Sequence, residues 1–219
     1  MKTQASERLY NFFSKFKRLS FKKGETILRP EDDPTGVFYL KKGYIRLYSL
    51  SSDAQELTLI IFKEEDVFPL MWTINNTPNS YYVEAITNTE LYQAPRAAFL
   101  KFIKHNNEIL LELTNHILKR FSGVLNRMEY AIFGHAQNKV ASIILICAER
   151  FGIKTDAGII IQVPLTHQDI ANLIGVARET VSIEIEKFQG KGLIDHQGKF
   201  LIIKNIRKLK EESVLESID

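Results

Sequence analysis

Cysteine occurs once in this 219-residue chain, which excludes an intrachain disulfide framework and any cysteine-held zinc or iron–sulfur site built within one chain. That thiol, Cys147, lies in the apolar run Ile143-Ile144-Leu145-Ile146-Cys147-Ala148, a setting that predicts a buried core thiol and not a redox sensor. Histidine is also scarce. All five, His105, His116, His135, His167 and His196, fall outside the β-rich segment described below. A cupin-type metal-dependent enzyme needs about three histidines, or two with a carboxylate, converging inside a barrel. That class finds no ligands here. Nor does any Gly-rich phosphate loop, Ser/His/Asp set or paired-carboxylate site stand out, so no enzyme activity, no metal and no cofactor is expected. No stretch approaches the roughly 18 consecutive apolar residues of a membrane span, and the first 25 residues lack the apolar core of a signal peptide. The expected location is the cytoplasm, away from the membrane.

What is present is ordinary globular material, with 45% apolar and 25% charged residues. The formal net charge of +3 is too small to argue by itself for a polyanionic partner. Three textures follow one another along the chain. From about Leu19 to Ala94, short runs rich in Phe, Tyr, Ile and Val alternate with turn signals. Thr26-Ile27-Leu28, Val37-Phe38-Tyr39-Leu40, Tyr44-Ile45-Arg46-Leu47-Tyr48, Leu57-Thr58-Leu59-Ile60-Ile61-Phe62 and Tyr81-Tyr82-Val83-Glu84-Ala85 read as strands of a sandwich or jelly-roll β-barrel.

Pro95 then opens a short helix to His105, and a long helix runs from about Asn107 to Ile132. Along it Leu110, Ile117 and Val124 recur every seven residues, as do Leu111, Leu118, Leu125 and Ile132, with Phe121 and Met128 between the rows. The stripe is broader than a strict two-position seam and can face a partner helix and a barrel at once. A helix of about 26 residues spans roughly 39 Å, more than a barrel needs for cover, which favours a dimer seam at Leu110, Ile117, Phe121, Val124 and Met128 over simple intrachain packing. A hinge is expected at Phe133-Gly134-His135. The whole predicts an α+β chain: a β-barrel domain over 1–105, a dimerisation helix and hinge over 106–134, and a third domain over 135–219.

That third domain carries the strongest signal. Thr166-x-x-Asp169 is a capping box that starts one helix, with Ile170, Leu173 and Ile174 as its buried face and Ala171 where two helices approach closely. Gly175 supplies a tight turn and Val176 fills the angle. A second helix then buries Val181, Ile185 and Phe188 and turns Arg178, Glu179, Ser182, Ile183 and Glu186 outward. Leu193 to Ile202 reads as a hairpin, the wing of a winged helix-turn-helix, with Gln197-Gly198 at its turn. Arg can bridge guanine O6 and N7, and Glu can accept from cytosine N4; both stand in the first turn of the second helix, where a recognition helix meets base edges. The Thr166 hydroxyl and the first-turn amides suit a phosphate. The expected DNA-contacting set is Thr166, His167, Gln168, Ala177, Arg178, Glu179, Ser182 and Ile183. Ile183 stands about 200° round the helix from Val181, which leaves two roles open: a contact to a thymine methyl, or packing against the wing or a hinge helix. A barrel that serves only as a protein-interaction or scaffold module would not need the Arg178-Glu179 face.

The stretch Leu165-Thr166-His167-Gln168-Asp169-Ile170-Ala171, followed by Gly175-Val176-Ala177-Arg178-Glu179-Thr180-Val181-Ser182, closely resembles the signature of the Crp/Fnr family, the cyclic-AMP receptor protein and fumarate-nitrate regulators. Lys23-Gly24-Glu25-Thr26-Ile27, Val37 to Arg46 and Phe62 to Phe68 are similar to strands of its cyclic-nucleotide-binding domain, so the resemblance covers nearly the whole chain. It implies a transcription regulator that is a homodimer on two half-sites of double-stranded DNA, with the long helix as dimer interface and promoter-bound RNA polymerase as a further partner.

Departures from the family narrow the signal. Cyclic-nucleotide binders of this kind carry Gly-Glu-Leu after the pocket strand and an Arg-Ser/Thr phosphate cradle; here the matching stretches read Pro69-Leu70-Met71 and Pro78-Asn79-Ser80-Tyr81. With Asn79 in place of the arginine, a phosphate loses its charge-assisted bidentate partner, and cyclic-AMP sensing is not expected. The cluster cysteines of the oxygen-sensing members are absent, and no histidine precedes His105 to mark a haem ligand. The remaining expectation is an apolar, aromatic effector pocket lined by Tyr44, Phe68, Trp72, Asn79, Ser80 and Tyr81, open to a small molecule of unknown identity. At Ile183 many members carry a polar, DNA-facing residue, so no operator sequence transfers from the family.

Overall fold

A strand with four consecutive apolar residues has to be covered on both faces, and the run from Val37 to Leu40 meets that demand through two separate layers. The computed structural model describes residues 4–213. Contacts divide the chain into two units, one holding the chain up to Ala54 together with Leu59–Arg120, the other Gln55–Thr58 together with the chain from Phe121 on.

In the first unit α1 (Gln4–Phe13) precedes eight strands, β1 (Lys17–Phe21), β2 (Thr26–Leu28), β3 (Val37–Lys42), β4 (Ile45–Leu50), β5 (Glu56–Phe62), β6 (Val67–Phe68), β7 (Tyr82–Ala85) and β8 (Thr89–Ala94), with a short α2 (Leu70–Asn75) between β6 and β7. α3 (Arg96–Lys104) and the first half of α4 (Asn107–Phe133) follow. The strands form two four-stranded sheets, ordered β1-β8-β3-β6 and β2-β7-β4-β5. This is the jelly-roll arrangement, and its two sheets remain separate rather than closing into a barrel.

The period of two along a strand splits the core. Phe38 and Leu40 of β3, Phe68 of β6 and Leu91 of β8 join Leu28, Ile45, Phe62 and Val83 from the other sheet in one cluster between the sheets. Their strand neighbours Val37, Tyr39, Val67 and Tyr92 point the other way and pack under the helices with Leu9, Phe13, Phe99, Ile103, Ile109 and Leu113. Aromatic contacts fasten α1 there: Phe12 stacks on Phe102 at 4.1 Å between centroids, and Phe13 lies 5.3 Å from Tyr39. On α4 the Arg120 guanidinium meets the buried Asp66 carboxylate at 2.5 Å and lies over the Phe62 ring at 4.8 Å.

The second unit holds the rest of α4, then α5 (Ala136–Phe151), β9 (Gly152–Thr155), β10 (Gly158–Ile161), α6 (His167–Ile174), α7 (Arg178–Gly190), β11 (Ile194–Gln197), β12 (Phe200–Ile203) and α8 (Ile206–Glu211). α5 is the central helix of its core, burying Val140, Ala141, Ile143, Ile144, Leu145, Cys147 and Phe151. Burial pushes the Cys147 thiol up to about 12, so at neutral pH it is an uncharged core group and a poor nucleophile. The wing hairpin β11–β12 has the expected turn, with Gly198 at φ +60. Its sheet is larger than the sequence suggested, because β10 pairs with β12 and brings β9 along in the order β11-β12-β10-β9. No helix among the described residues is long and apolar enough to cross a membrane.

Of the sixteen exposed large apolar side chains among the described residues, nine lie on α4: Leu110, Leu111, Ile117, Leu118, Phe121, Leu125, Met128, Ile132 and Phe133. Val124 is half-buried, while Ile109, Leu113 and Tyr130 form the helix's inward face. Four of the five residues expected at a dimer seam are therefore exposed apolar side chains, too dense a set for scattered surface exposure.

Candidate nucleic-acid interface

The geometry of the helix-turn-helix follows from two local devices. At the start of α6, the Asp169 amide donates to Thr166 Oγ1 at 3.1 Å, and the Thr166 amide donates to Asp169 Oδ2 at 2.8 Å. Each side chain satisfies an otherwise orphaned N–H of the first turn. At its end Gly175 takes φ +66, ψ +44, the left-handed conformation that side chains with a Cβ resist. The chain reverses there and α7 begins three residues later. Val181, Ile185 and Phe188 are buried to 0%, 1% and 0% exposure, so the register of α7 is the one its apolar spacing predicts.

The outward face follows from that register. Arg178, Glu179 and Glu186 are exposed, and so is Ile183, at 53%. Ala177 is the N-cap residue of α7 and offers no side-chain cap. Gln168 is exposed, with its amide donating to Asn172 Oδ1 at 2.7 Å. Thr166 differs from expectation in one respect. Its hydroxyl hydrogen is directed to Asp169 Oδ2 at 2.6 Å, so in this conformation the hydroxyl has no proton to offer a phosphate. Only the backbone amides of the first turn keep that capacity.

His167 carries information that the sequence did not expose. Its Nδ1 lies 2.8 Å from Ser182 Oγ, and Ser182 Oγ donates its one hydrogen to the Arg178 carbonyl at 3.1 Å. Ser182 can then only accept from the ring, so Nδ1 bears a hydrogen and Nε2 is the free nitrogen. Burial lowers the His167 pKa, helped by the fields of His196 and Arg178 and opposed by Glu186. The His196 ring of the wing stands 6.3 Å from that of His167, and its Nδ1 is 3.0 Å from the Gln189 amide nitrogen. The structure thus brings α6, α7 and the wing together around one polar cluster, adding Gln189 and His196 to the residues expected from the sequence.

The residues expected to line an effector pocket do not converge in this way. β4 pairs with β7 from Ile45↔Ala85 to Tyr48↔Tyr82, which puts Tyr44 and Tyr81 at opposite ends of the ladder. Phe68 is buried between the sheets, whereas Trp72 packs with the helix-side cluster and under Arg96. Ser80 is exposed. Asn79 is buried, and its amide donates to the carbonyls of Arg29 at 2.6 Å and Tyr81 at 2.9 Å. Among the described residues no group of three or more His, Cys, Asp or Glu is placed to hold a metal ion.

Comparison with known proteins agrees with both units. Residues 18–106 match the model of the cyclic nucleotide-binding domain and residues 138–212 that of the Crp-like helix-turn-helix domain. The global nitrogen regulator of Synechococcus elongatus is 30% identical over 168 residues, 74% of each chain. A CRP-like cAMP-activated global transcriptional regulator of Mycobacterium tuberculosis is 25% identical over 87% of this chain and 85% of its own. Among solved structures, a mutant of CooA from Carboxydothermus hydrogenoformans has the same fold, with a TM-score of 0.80 at 22% identity over 96% of each chain.

The hydrogen-bond order at His167 yields a pH prediction. Phosphate oxygens only accept, and Nδ1–H is already committed, so a contact from Nε2 to DNA requires the imidazolium. The lowered pKa keeps the free ring neutral at pH 7, and the polyanion raises that pKa on binding; complex formation then takes up a proton. DNA affinity is expected to rise as pH falls from about 7.5 to about 6, by up to about tenfold per unit and half-site. His167→Gln should flatten that slope. Fluorescence anisotropy across this range gives the check, and a slope shared by wild type and variant would assign the proton elsewhere.

Proposed function

Since the chain belongs to the Crp/Fnr family of transcription regulators, a family of DNA-binding proteins, we propose that it acts as a homodimer reading an inverted-repeat operator with α7, without cyclic AMP as its signal. The observation that carries this reading is the outward face of α7. Arg178 and Glu179 stand exposed in its first turn, and among the described residues neither side chain has a hydrogen-bond partner within the chain. A guanidinium and a carboxylate left unpaired on the first turn of a helix suit guanine O6/N7 and cytosine N4 in the major groove. Gln168, His167 and the first-turn amides that follow Thr166 border them and position the phosphate backbone, with Ala177 and Ser182 on the same face.

The exposed apolar row of α4 supports self-association through Leu110, Ile117, Phe121, Val124 and Met128. Two copies paired there remove this surface from water and supply the two-fold symmetry of an inverted repeat. A promoter-bound RNA polymerase is the further partner, and the cytoplasm the place of action.

Cyclic AMP fits this jelly roll poorly. Both Asn79 amide hydrogens hold the Arg29 and Tyr81 carbonyls, so the residue at the phosphate position is neutral and already occupied. Turning it to a phosphate would break both of these hydrogen bonds. An effector, if one is used, is a different small molecule. Isothermal calorimetry should find no cyclic-AMP binding at micromolar concentration; saturable micromolar binding would refute this part.

Selection from random duplexes tests the central part. The selected operator should be an inverted repeat, and Arg178→Ala should weaken it by about 1–3 kcal/mol per half-site while relaxing preference at one base pair. If the variant kept both affinity and preference, α7 would not be the reading helix.

A further inference from the structure

The helical wheel of α7 places Ile183 on its open face, between Glu179 and Glu186 along the axis. At about 100° per residue, the buried positions Val181, Glu184, Ile185 and Phe188 cluster on one side, and the opposite direction falls on Glu179, Ile183 and Glu186. Ile183 is 53% exposed, so packing against the wing or another helix does not account for it. Over the helix-turn-helix and wing, residues 166–203, it is the one exposed large apolar side chain among the described residues. An isolated exposed isoleucine is unremarkable on most surfaces. Here Glu179 and Glu186, one turn to either side of it, are carboxylates, while the exposed Lys187 at i+4 is drawn to Glu184 at 2.8 Å.

That arrangement constrains what the row can touch. Carboxylates are repelled by phosphate and can approach DNA only at hydrogen-bond donors, which in the major groove are cytosine N4 and adenine N6. The rise of about 1.5 Å per residue sets Glu179 roughly 6 Å and Glu186 roughly 4.5 Å along the axis from Ile183, one to two base-pair steps away. Between two such sites an apolar branched side chain meets base edges, and the one apolar group that the major groove displays is the thymine C5-methyl. We propose that Ile183 is a specificity-determining residue that recognises the C5-methyl of one thymine in each half-site, flanked within two base pairs by an amino group that Glu179 or Glu186 accepts from. This rests on the reading of α7 as the recognition helix and adds the base class that its centre selects.

The test replaces each thymine of a selected duplex, one at a time, by uracil, which differs only in lacking that methyl. Wild-type full-length protein should lose about fourfold in affinity per half-site at one thymine position, the effect of removing one buried methyl, and little at the others. Ile183→Ala should bind the thymine and uracil forms of that position equally, with an unchanged melting temperature. Equal binding of thymine and uracil duplexes by the wild type overturns the proposal without touching the recognition-helix reading, and needs no variant. A variant that melts lower yet keeps the thymine preference overturns it too, by assigning Ile183 a packing role. Failure to select any duplex removes the recognition-helix reading, and this proposal with it.

Discussion

The left-handed turn at Gly175 decides the direction in which α7 leaves α6, and the surface that reads DNA exists only because of that direction. The Gly175 amide still donates to the Ala171 carbonyl at 2.9 Å, so α6 closes its last turn before the chain reverses. Nothing lies within 4 Å of where a Cβ on Gly175 would stand. The requirement for glycine is therefore one of backbone conformation and not of space. Once the turn is made, burial of Val181, Ile185 and Phe188 fixes the rotation of α7, and rotation decides which side chains remain outside. Arg178, Glu179, Ile183 and Glu186 owe their exposure to the apolar residues behind them.

Much of this was legible beforehand because the devices are local. Thr166-x-x-Asp169, Gly175 and the spacing of Val181, Ile185 and Phe188 each specify a short stretch of backbone without long-range information. The jelly-roll strands were legible for a related reason: Thr26–Leu28, Val37–Leu40 and Leu57–Phe62 are punctuated by turn residues. The β9–β10 hairpin was not. Its strands are four residues each, and Ile153 and Ile159 have partly exposed positions that no alternation marks. The two strands pair with each other across a tight turn, and β10 joins a larger sheet only through β12, more than 40 residues further along the chain. α1 escaped notice because its apolar face becomes meaningful only against Tyr39, Phe99 and Phe102.

The functional residues divide along the same line. Exposure of Arg178 and Glu179 followed from periodicity, whereas the protonation order at His167 depends on Ser182, fifteen positions away, and on the Arg178 carbonyl. The Thr166 hydroxyl is instructive in another way: the capping box that identified the residue also engages its only donor. In the jelly roll, Phe68 at the end of β6 points between the sheets, whereas the chain then turns into α2 and Trp72 joins the helix side. Adjacency in sequence carried them no closer.

The account stands or falls on two copies of α7 reading one duplex. Hydroxyl-radical footprinting of the protein on a selected operator measures this most directly. It predicts two protected patches on one face of the duplex, centred about one helical turn, roughly 34 Å, apart. A single protected patch, or protection without that spacing, would contradict the dimeric reading.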